Sequence, residues 1–201
     1  GSYISSWKAS EILSHDYVDL GEDGPDDSDL GNWVSFNYNE VYSGGNLYNI
    51  ESPHSDSGRN CFVTGTGIRS KVGYDSEISV LGSIETPTHI AYFYTDTERA
   101  DTRDSNGDKL PKLNSIEVRS KLDNGVVSRV EFVYDHSLAQ DTPDSSSGRL
   151  TLREVITYGS DGTALAPYEF EYAEENLDYD INNFDRWGNY YSDGDILEHN
   201  K

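Results

Sequence analysis

The stretch Asp19-Leu20-Gly21-Glu22-Asp23-Gly24-Pro25-Asp26-Asp27-Ser28-Asp29-Leu30-Gly31 gathers carboxylates on both sides of a glycine. Calcium takes about six to eight oxygen ligands, and short loops wrap it by offering them at alternate positions. With Asp19 as the first residue of such a loop, Gly21 and Asp23 fall at positions 3 and 5, and Gly24 falls at the bend. Pro25 follows where a backbone carbonyl is used, and Asp27 and Asp29 fall at positions 9 and 11. Leu30 stands where an EF-hand places its bidentate Glu, and Gly21 has no side chain to bind with. The pattern therefore suggests a calcium loop through Asp19, Asp23, Asp27 and Asp29 that departs from the EF-hand. The alternative is a solvated acidic turn.

Other clusters are weaker. Asp104, Asn106 and Asp108 put oxygens at alternate positions around Gly107, but Leu110 and Lys112 follow where further carboxylates would be needed. They are secondary metal candidates, with a plain surface loop as the competing reading. Asp178, Asp180 and Asp185 surround Asn182-Asn183 and could line a cation. Asp185 also begins Asp185-Arg186-Trp187-Gly188, where a structural role is expected. Asp185 and Arg186 would satisfy the polar groups of a turn, while Trp187 covers the end of a sheet.

Catalytic signatures are absent. His15, His54, His89, His136 and His199 show no zinc-ligand spacing. No Gly-x-Ser-x-Gly elbow, phosphate loop or dinucleotide fingerprint occurs. Cys61, in Cys61-Phe62-Val63, suits a buried strand thiol better than a nucleophile. A carboxylate pair for glycoside cleavage is defined by separation in space, so sequence alone does not address it. The tyrosines and tryptophans could stack on sugars, but at period-two spacing they suit cross-strand pairs. A non-enzymatic role is expected.

The chain has 201 residues, enough for one domain with a real core, and a net charge of −22. Nucleic acid and an anionic membrane surface would both be repelled, so neither is expected as a partner. Calcium sites, an acidic exported scaffold or a high-salt habitat would each give this charge. The single cysteine rules out an intrachain disulfide. No apolar run approaches membrane-spanning length. Gly1-Ser2 reads as a remnant of tag removal, and no Met occurs. Residues 3–201 then read as one β-rich domain, an internal piece of a larger protein whose export signal lies elsewhere.

Apolar and polar residues alternate along most of the chain, with Gly, Asn, Asp and Pro between the runs. Strands are expected at 33–42, 61–70, 77–84, 88–95, 113–120, 127–134, 151–158 and 167–173, and loops at 44–60 and 96–111. One helix candidate lies at Ser5–Ser14. The second half repeats itself. Leu113–Ser120 leads through Asn124-Gly125 to Val127–Tyr134, and Leu152–Gly159 leads through Asp161-Gly162 to Ala166–Tyr172. Each return strand ends Glu-Phe-x-Tyr, as Glu131–Tyr134 and Glu169–Tyr172. A looser copy starts at Leu81-Gly82-Ser83-Ile84-Glu85 and returns through Ile90–Tyr94. Asn-Gly and Asp-Gly supply the positive φ that tight hairpins need, so antiparallel hairpins are expected there. The fold class expected is all-β, with hairpin repeats forming a sandwich, a curved sheet or part of a propeller.

Leu152–Tyr172 followed by Asp185-Arg186-Trp187-Gly188-Asn189-Tyr190 resembles a tract of very large exported bacterial proteins. These are the Rhs/YD-repeat proteins, their insecticidal-toxin B-component relatives and giant surface proteins of Bacteroidota. The acidic loop and Trp33–Tyr38 look like the segment preceding such hairpins. The resemblance covers most of residues 16–191 and rests on packing and turn motifs. It implies a β-rich scaffold segment of an exported or cell-surface protein. The YD consensus that builds a toxin-enclosing shell is missing, so that role is not implied. The expected function is a non-catalytic structural or interaction module, stabilised by calcium. Its expected partners are neighbouring domains of the parent, with another protein or a glycan as further possibilities. A carbohydrate-binding module is the main alternative, and a carboxylate-based hydrolase the lesser one.

Overall fold

A computed structural model describes residues 7–21, 24–42, 47–48, 74–75, 78–101, 109–141, 147–173 and 178. Ten strands run in chain order. They are β1 (Glu11–Leu13), β2 (Trp33–Tyr42), β3 (Leu47–Tyr48), β4 (Tyr74–Asp75) and β5 (Ile78–Glu85). Then come β6 (His89–Asp96), β7 (Lys112–Ser120), β8 (Val126–Leu138), β9 (Arg149–Tyr158) and β10 (Tyr168–Glu169). Eight of them form one open, uncurled antiparallel sheet in the order β1-β2-β5-β6-β7-β8-β9-β10. β3 and β4 form a separate ribbon. The all-β expectation holds, and no helix occurs among the described residues.

The period-two runs fold as expected, each strand pairing antiparallel with its sheet neighbours; the β5–β6 and β7–β8 reversals are short, and longer segments join β1 to β2, β2 to β5 and β6 to β7. β2 occupies the whole of the expected 33–42. The region expected to be helical at Ser5–Ser14 is corrected. Within it, Glu11–Leu13 is an edge strand, with Ile12 opposite Val34 and Leu13 opposite Trp33. So short a segment gains little from local helix hydrogen bonds, and pairing with β2 supplies partners along the chain. Leu47–Tyr48 is likewise a short strand inside an expected loop. The expected strand at 61–70 lies outside the described residues.

The repeats stack side by side, each adding one hairpin to the sheet. Gly162 turns the last hairpin with φ 78°, as expected, and Gly159 N–H donates to the Thr163 carbonyl at 3.0 Å. The other turn needs a correction. Between β7 and β8 the positive φ, 57°, belongs to Asn124, and Gly125 does not share it. Asn tolerates the left-handed region better than most residues. Beyond Gly162 the expected strand 167–173 is shorter, formally Tyr168–Glu169. Pairing continues one step further, because Phe170 N–H donates to the Arg153 carbonyl at 2.8 Å.

Register gives the two faces opposite chemistry. On one face Ile12 meets Val34, Phe36 meets Ile84, and Ile84 meets Ala91. The same face continues with Phe93 against Ile116, Ile116 against Val130, Phe132 against Val155, and Val155 against Tyr168. Ser128 and Thr157 fall on the same face opposite Val118 and Val130, and near one end of it Lys112 lies over the Tyr134 ring and pairs with Asp96 at 2.8 Å. The other face carries Ser35–Glu85, Asn37–Ser83, Tyr92–Glu117, Glu117–Arg129 and Arg129–Tyr158. Among the described residues no second sheet lies over the apolar face. Its central side chains are half-buried by one another, and edge residues Ile12 and Tyr168 are 58% and 77% exposed. The only buried large hydrophobic side chain, among those described, is Trp33 on the opposite face, at 3% exposure.

Candidate functional site

The acidic loop is the β1–β2 connection. An antiparallel bridge between Val18 and Leu30 closes its neck, with N–H to carbonyl bonds of 2.9 and 3.1 Å. Gly31 returns the chain at φ 88°, pressed so closely on Asp16 that a Cβ would strike the Asp16 backbone. Inside the loop Asp29 is the hub. Its Oδ2 accepts from the Tyr17 hydroxyl and the Asp26 N–H, both at 2.8 Å, and its Oδ1 accepts from Leu20 N–H at 2.8 Å. The Leu20 and Asp26 N–H groups hold the Asp29 carboxyl below the usual carboxylate range. Desolvation, helped by the bond to Asp29, pushes the Tyr17 phenol well up. Asp19 accepts from Gly21 N–H at 3.2 Å, and Asp26 caps Ser28 N–H at 2.6 Å.

Asp27 leaves this arrangement and pairs with Lys121, which lies just after β7. Lys121 Nζ also pairs with Glu85 at 2.6 Å and sits 5.0 Å from the centre of the Trp33 ring. Its backbone N–H donates to the Thr88 carbonyl at 2.9 Å. One ammonium therefore joins the acidic loop, the end of β5 and the β7–β8 turn over Trp33. Burial opposes its charge, but the bonds from Asp27 and Glu85 hold its pKa above the ordinary lysine value. The Trp33 Nε1 is buried and has no hydrogen-bond partner among the described residues.

The expected calcium ligands are not brought together in the described part of the loop. Asp19, Asp27 and Asp29 do not converge, and among the described residues no group of three or more His, Cys, Asp or Glu could hold a metal ion. Asp23 lies outside the described residues. So do the secondary candidates Asp104, Asn106 and Asp108, and the structural trio Asp185, Arg186 and Trp187.

Sequence reasoning missed two residues that organise the molecule. Lys121 gives no local signal, because Asp27 lies 94 positions away. Asp101 is the other. It is 5% exposed, takes Arg99 Nε at 2.7 Å and Nη2 at 3.2 Å, and accepts from Leu150 N–H at 3.0 Å. Burial pushes its carboxyl up, yet the Arg99 and Leu150 bonds outweigh that and keep it below the ordinary range. Beside it, His136 Nε2 accepts from Ala100 N–H at 3.3 Å. The His136 carbonyl accepts from Gly148 N–H and the Gln140 amide, both at 3.0 Å. This junction pins the segment after β6 to the far end of the β8–β9 hairpin. Its signal in the sequence was only the placement of Arg99 and Asp101 two residues apart inside an expected loop.

The polar face holds a group of aromatic rings. Tyr92 and Tyr94 lie 6.2 Å apart between centroids, and Tyr94 is 44% exposed. Arg129 stacks 5.6 Å from the Tyr158 centroid. Comparison with known proteins finds no matching family model, curated protein or solved structure.

Proposed function

We propose that this chain is a non-catalytic structural or interaction module of a larger exported protein, and that it works by presenting its apolar sheet face to another layer. The observation that carries the reading is the series of apolar cross-strand pairs that runs on one face from Ile12–Val34 to Val155–Tyr168. A sheet with one apolar face must bury it against another element, and an exposed patch of this kind marks an interaction site. The net charge of −22 speaks against nucleic acid as the partner. Hydroxyl-radical footprinting tests the reading. In protein that sediments as a single chain, Phe93 and Phe132 should be readily oxidised. Protection of both rings in a single chain would mean that the face is already covered and would end the proposal.

The polar face favours a second reading, a carbohydrate platform built on Tyr92 and Tyr94. Affinity electrophoresis in neutral polysaccharide gels should then show retardation that Tyr94→Ala removes. Calcium is the ligand to test at the acidic loop. If it binds there, millimolar calcium should raise the melting temperature of chelator-treated protein, magnesium should do so less, and Asp19→Asn should remove the shift. Equal melting with and without calcium would exclude that role.

A further inference from the structure

The hairpins β5–β6, β7–β8 and β9–β10 repeat in register as well as in sequence. In the first, Ser83 lies opposite Tyr92 and Ile84 opposite Ala91. Ser115–Glu131 and Ile116–Val130 take the same places in the second, and Glu154–Glu169 and Val155–Tyr168 in the third. The joins between hairpins repeat too. At each, a phenylalanine of one return strand faces an aliphatic residue of the next outgoing strand, Phe93 facing Ile116 and Phe132 facing Val155. At the start of the series β2 supplies the phenylalanine, with Phe36 opposite Ile84. At the far end Phe170 follows Glu169, in the place that Phe93 and Phe132 take in their hairpins. Beyond β10 the sheet has no further strand among the described residues. Phe170 and Tyr172 are 41% and 42% exposed there.

We propose that the outer edge of β10 is a strand-addition site for an extended segment of another polypeptide. The segment lies antiparallel, with a β-branched aliphatic residue opposite Phe170 and a lysine or arginine opposite Glu171. This surface is an edge, and it does not depend on the face reading above. Phe170 N–H points inward, to the Arg153 carbonyl at 2.8 Å. Alternation along an antiparallel strand therefore turns the N–H and carbonyl groups of Glu169 and Glu171 outward. Such an edge gives an added strand main-chain bonds for affinity and alternate side-chain places for specificity. The existing joins define those places. Ile84, Ile116 and Val155 all fill the one opposite the phenylalanine. The next place faces Tyr94 in one join and Val133 in the other, and both are uncharged. In the third hairpin Glu171 takes that position, on the same side as the Glu154–Glu169 pair. A base opposite Glu171 is favoured and an acid is repelled. The net charge of −22 acts in the same sense at longer range, drawing in basic segments and repelling a second copy of the chain.

Two labelled peptides test this by fluorescence anisotropy against the full chain. One has the β9 sequence Arg149–Tyr158, and the other is its E154K form. With Val155 facing Phe170, as it faces Phe132 within the chain, position 154 falls opposite Glu171. The E154K peptide should bind at least about fivefold more tightly than the unmodified one. Glu171→Lys in the chain should reverse that order, and Glu171 is exposed, so the change leaves the fold intact. Bound peptide should slow amide exchange at Glu169 and Glu171. No binding by either peptide at millimolar concentration overturns the proposal, and so does binding that is indifferent to Glu171→Lys. Slow exchange at both amides in the free single chain would mean that the chain itself already covers the edge. Slow exchange that appears only when the chain self-associates would give the edge to a second copy. Either result overturns the proposal. None of these outcomes touches the face reading, which footprinting at Phe93 and Phe132 tests separately.

Discussion

Lys121 is the residue on which three segments converge, and the exposure of its partners decides how its contribution divides. The Asp27 side chain is 72% exposed, so that pair is screened and contributes little. Glu85, at 29%, and the Trp33 ring lie in drier surroundings. Lys121→Met keeps the aliphatic stem over the indole and removes the charge. It should cost about 1–2 kcal/mol in urea unfolding, from the lost cation–π contact and the Glu85 pair. Asp27→Asn should cost less than about 0.5 kcal/mol. Equal costs would place the weight of the clamp on the acidic loop. At the hairpins the structure separates two glycines with similar sequence contexts. Gly162→Val should lose about 1–2 kcal/mol from positive φ alone, since nothing lies within 4 Å of the new Cβ. Gly125→Ala should lose less than about 1 kcal/mol, because the nearest atom is the Asp123 carboxylate end at 3.1 Å. If Gly125→Ala proved the costlier change, the turn would run differently from the one described.

Among the elements, the β8–β9 hairpin is the longest and the most irregular, with register shifts at Val133/Tyr134 and between Asp135 and Leu138. The shifts let Arg153 reach Asp135 at 2.7 Å and pass 5.3 Å from the Tyr172 ring centre. They also bring buried Gly148 against the carbonyls of His136 and Leu138. Those neighbours are backbone and cannot swing aside. Gly148→Ala should therefore cost about 1–3 kcal/mol, the usual range for overpacking. It should also loosen the junction at Asp101, because Leu150 lies only two residues on. Faster amide exchange at Leu150 in this variant, with exchange in β6 unchanged, would be the local sign. Unaltered exchange at Leu150 would show that the Asp101 bond does not depend on this packing.

At the scale of the whole molecule the dominant force besides burial is charge. Asp29, Asp96, Asp101 and Asp135 all have carboxyl groups held below the ordinary range. A carboxyl with a depressed folded pKa contributes stability above its unfolded value, near 3.9, and loses it as pH falls through the folded value. Relief of the overall repulsion acts in the opposite sense as acid is added, so total stability mixes both effects. The difference between the unmodified chain and Asp101→Asn nearly cancels the repulsion. That difference should be about 1–3 kcal/mol near neutral pH and should shrink below about pH 4. A difference constant down to pH 3 would mean that the Asp101 carboxylate is not held by Arg99 and Leu150. Lys121 sets the alkaline limit. Its raised pKa means that its contribution is complete below about 10.5 and is lost above that.

The strands β2 and β5 to β9 were legible in the sequence because a period of two is a local property. Each residue's face follows from its neighbours, and Trp33–Tyr42 needed nothing more. The repeat Glu-Phe-x-Tyr was legible for the same reason, and it set Phe132 and Phe170 at equivalent places in successive hairpins. Other features depended on distance along the chain. Whether Ser5–Ser14 coiled or paired was decided by β2, which lies beyond the acidic loop. Which residue of Asn124-Gly125 takes the positive φ depended on how the β7–β8 strands twist into their turn. The clamp of Lys121 on Asp27, Glu85 and Trp33, and the burial of Asp101 against Leu150, join residues far apart in sequence, so no spacing rule reveals them. The carboxylates of the acidic loop were plain as a composition. Their division of labour, with Asp29 holding the loop together and Asp27 turned to an ammonium, follows from which donors the fold carried within hydrogen-bond reach. The sequence by itself determined an all-β chain with one apolar face. Only the tertiary structure decided that eight of the strands lie in one open sheet and that no second sheet covers this face among the described residues, because layering depends on what packs across a sheet and not along a strand.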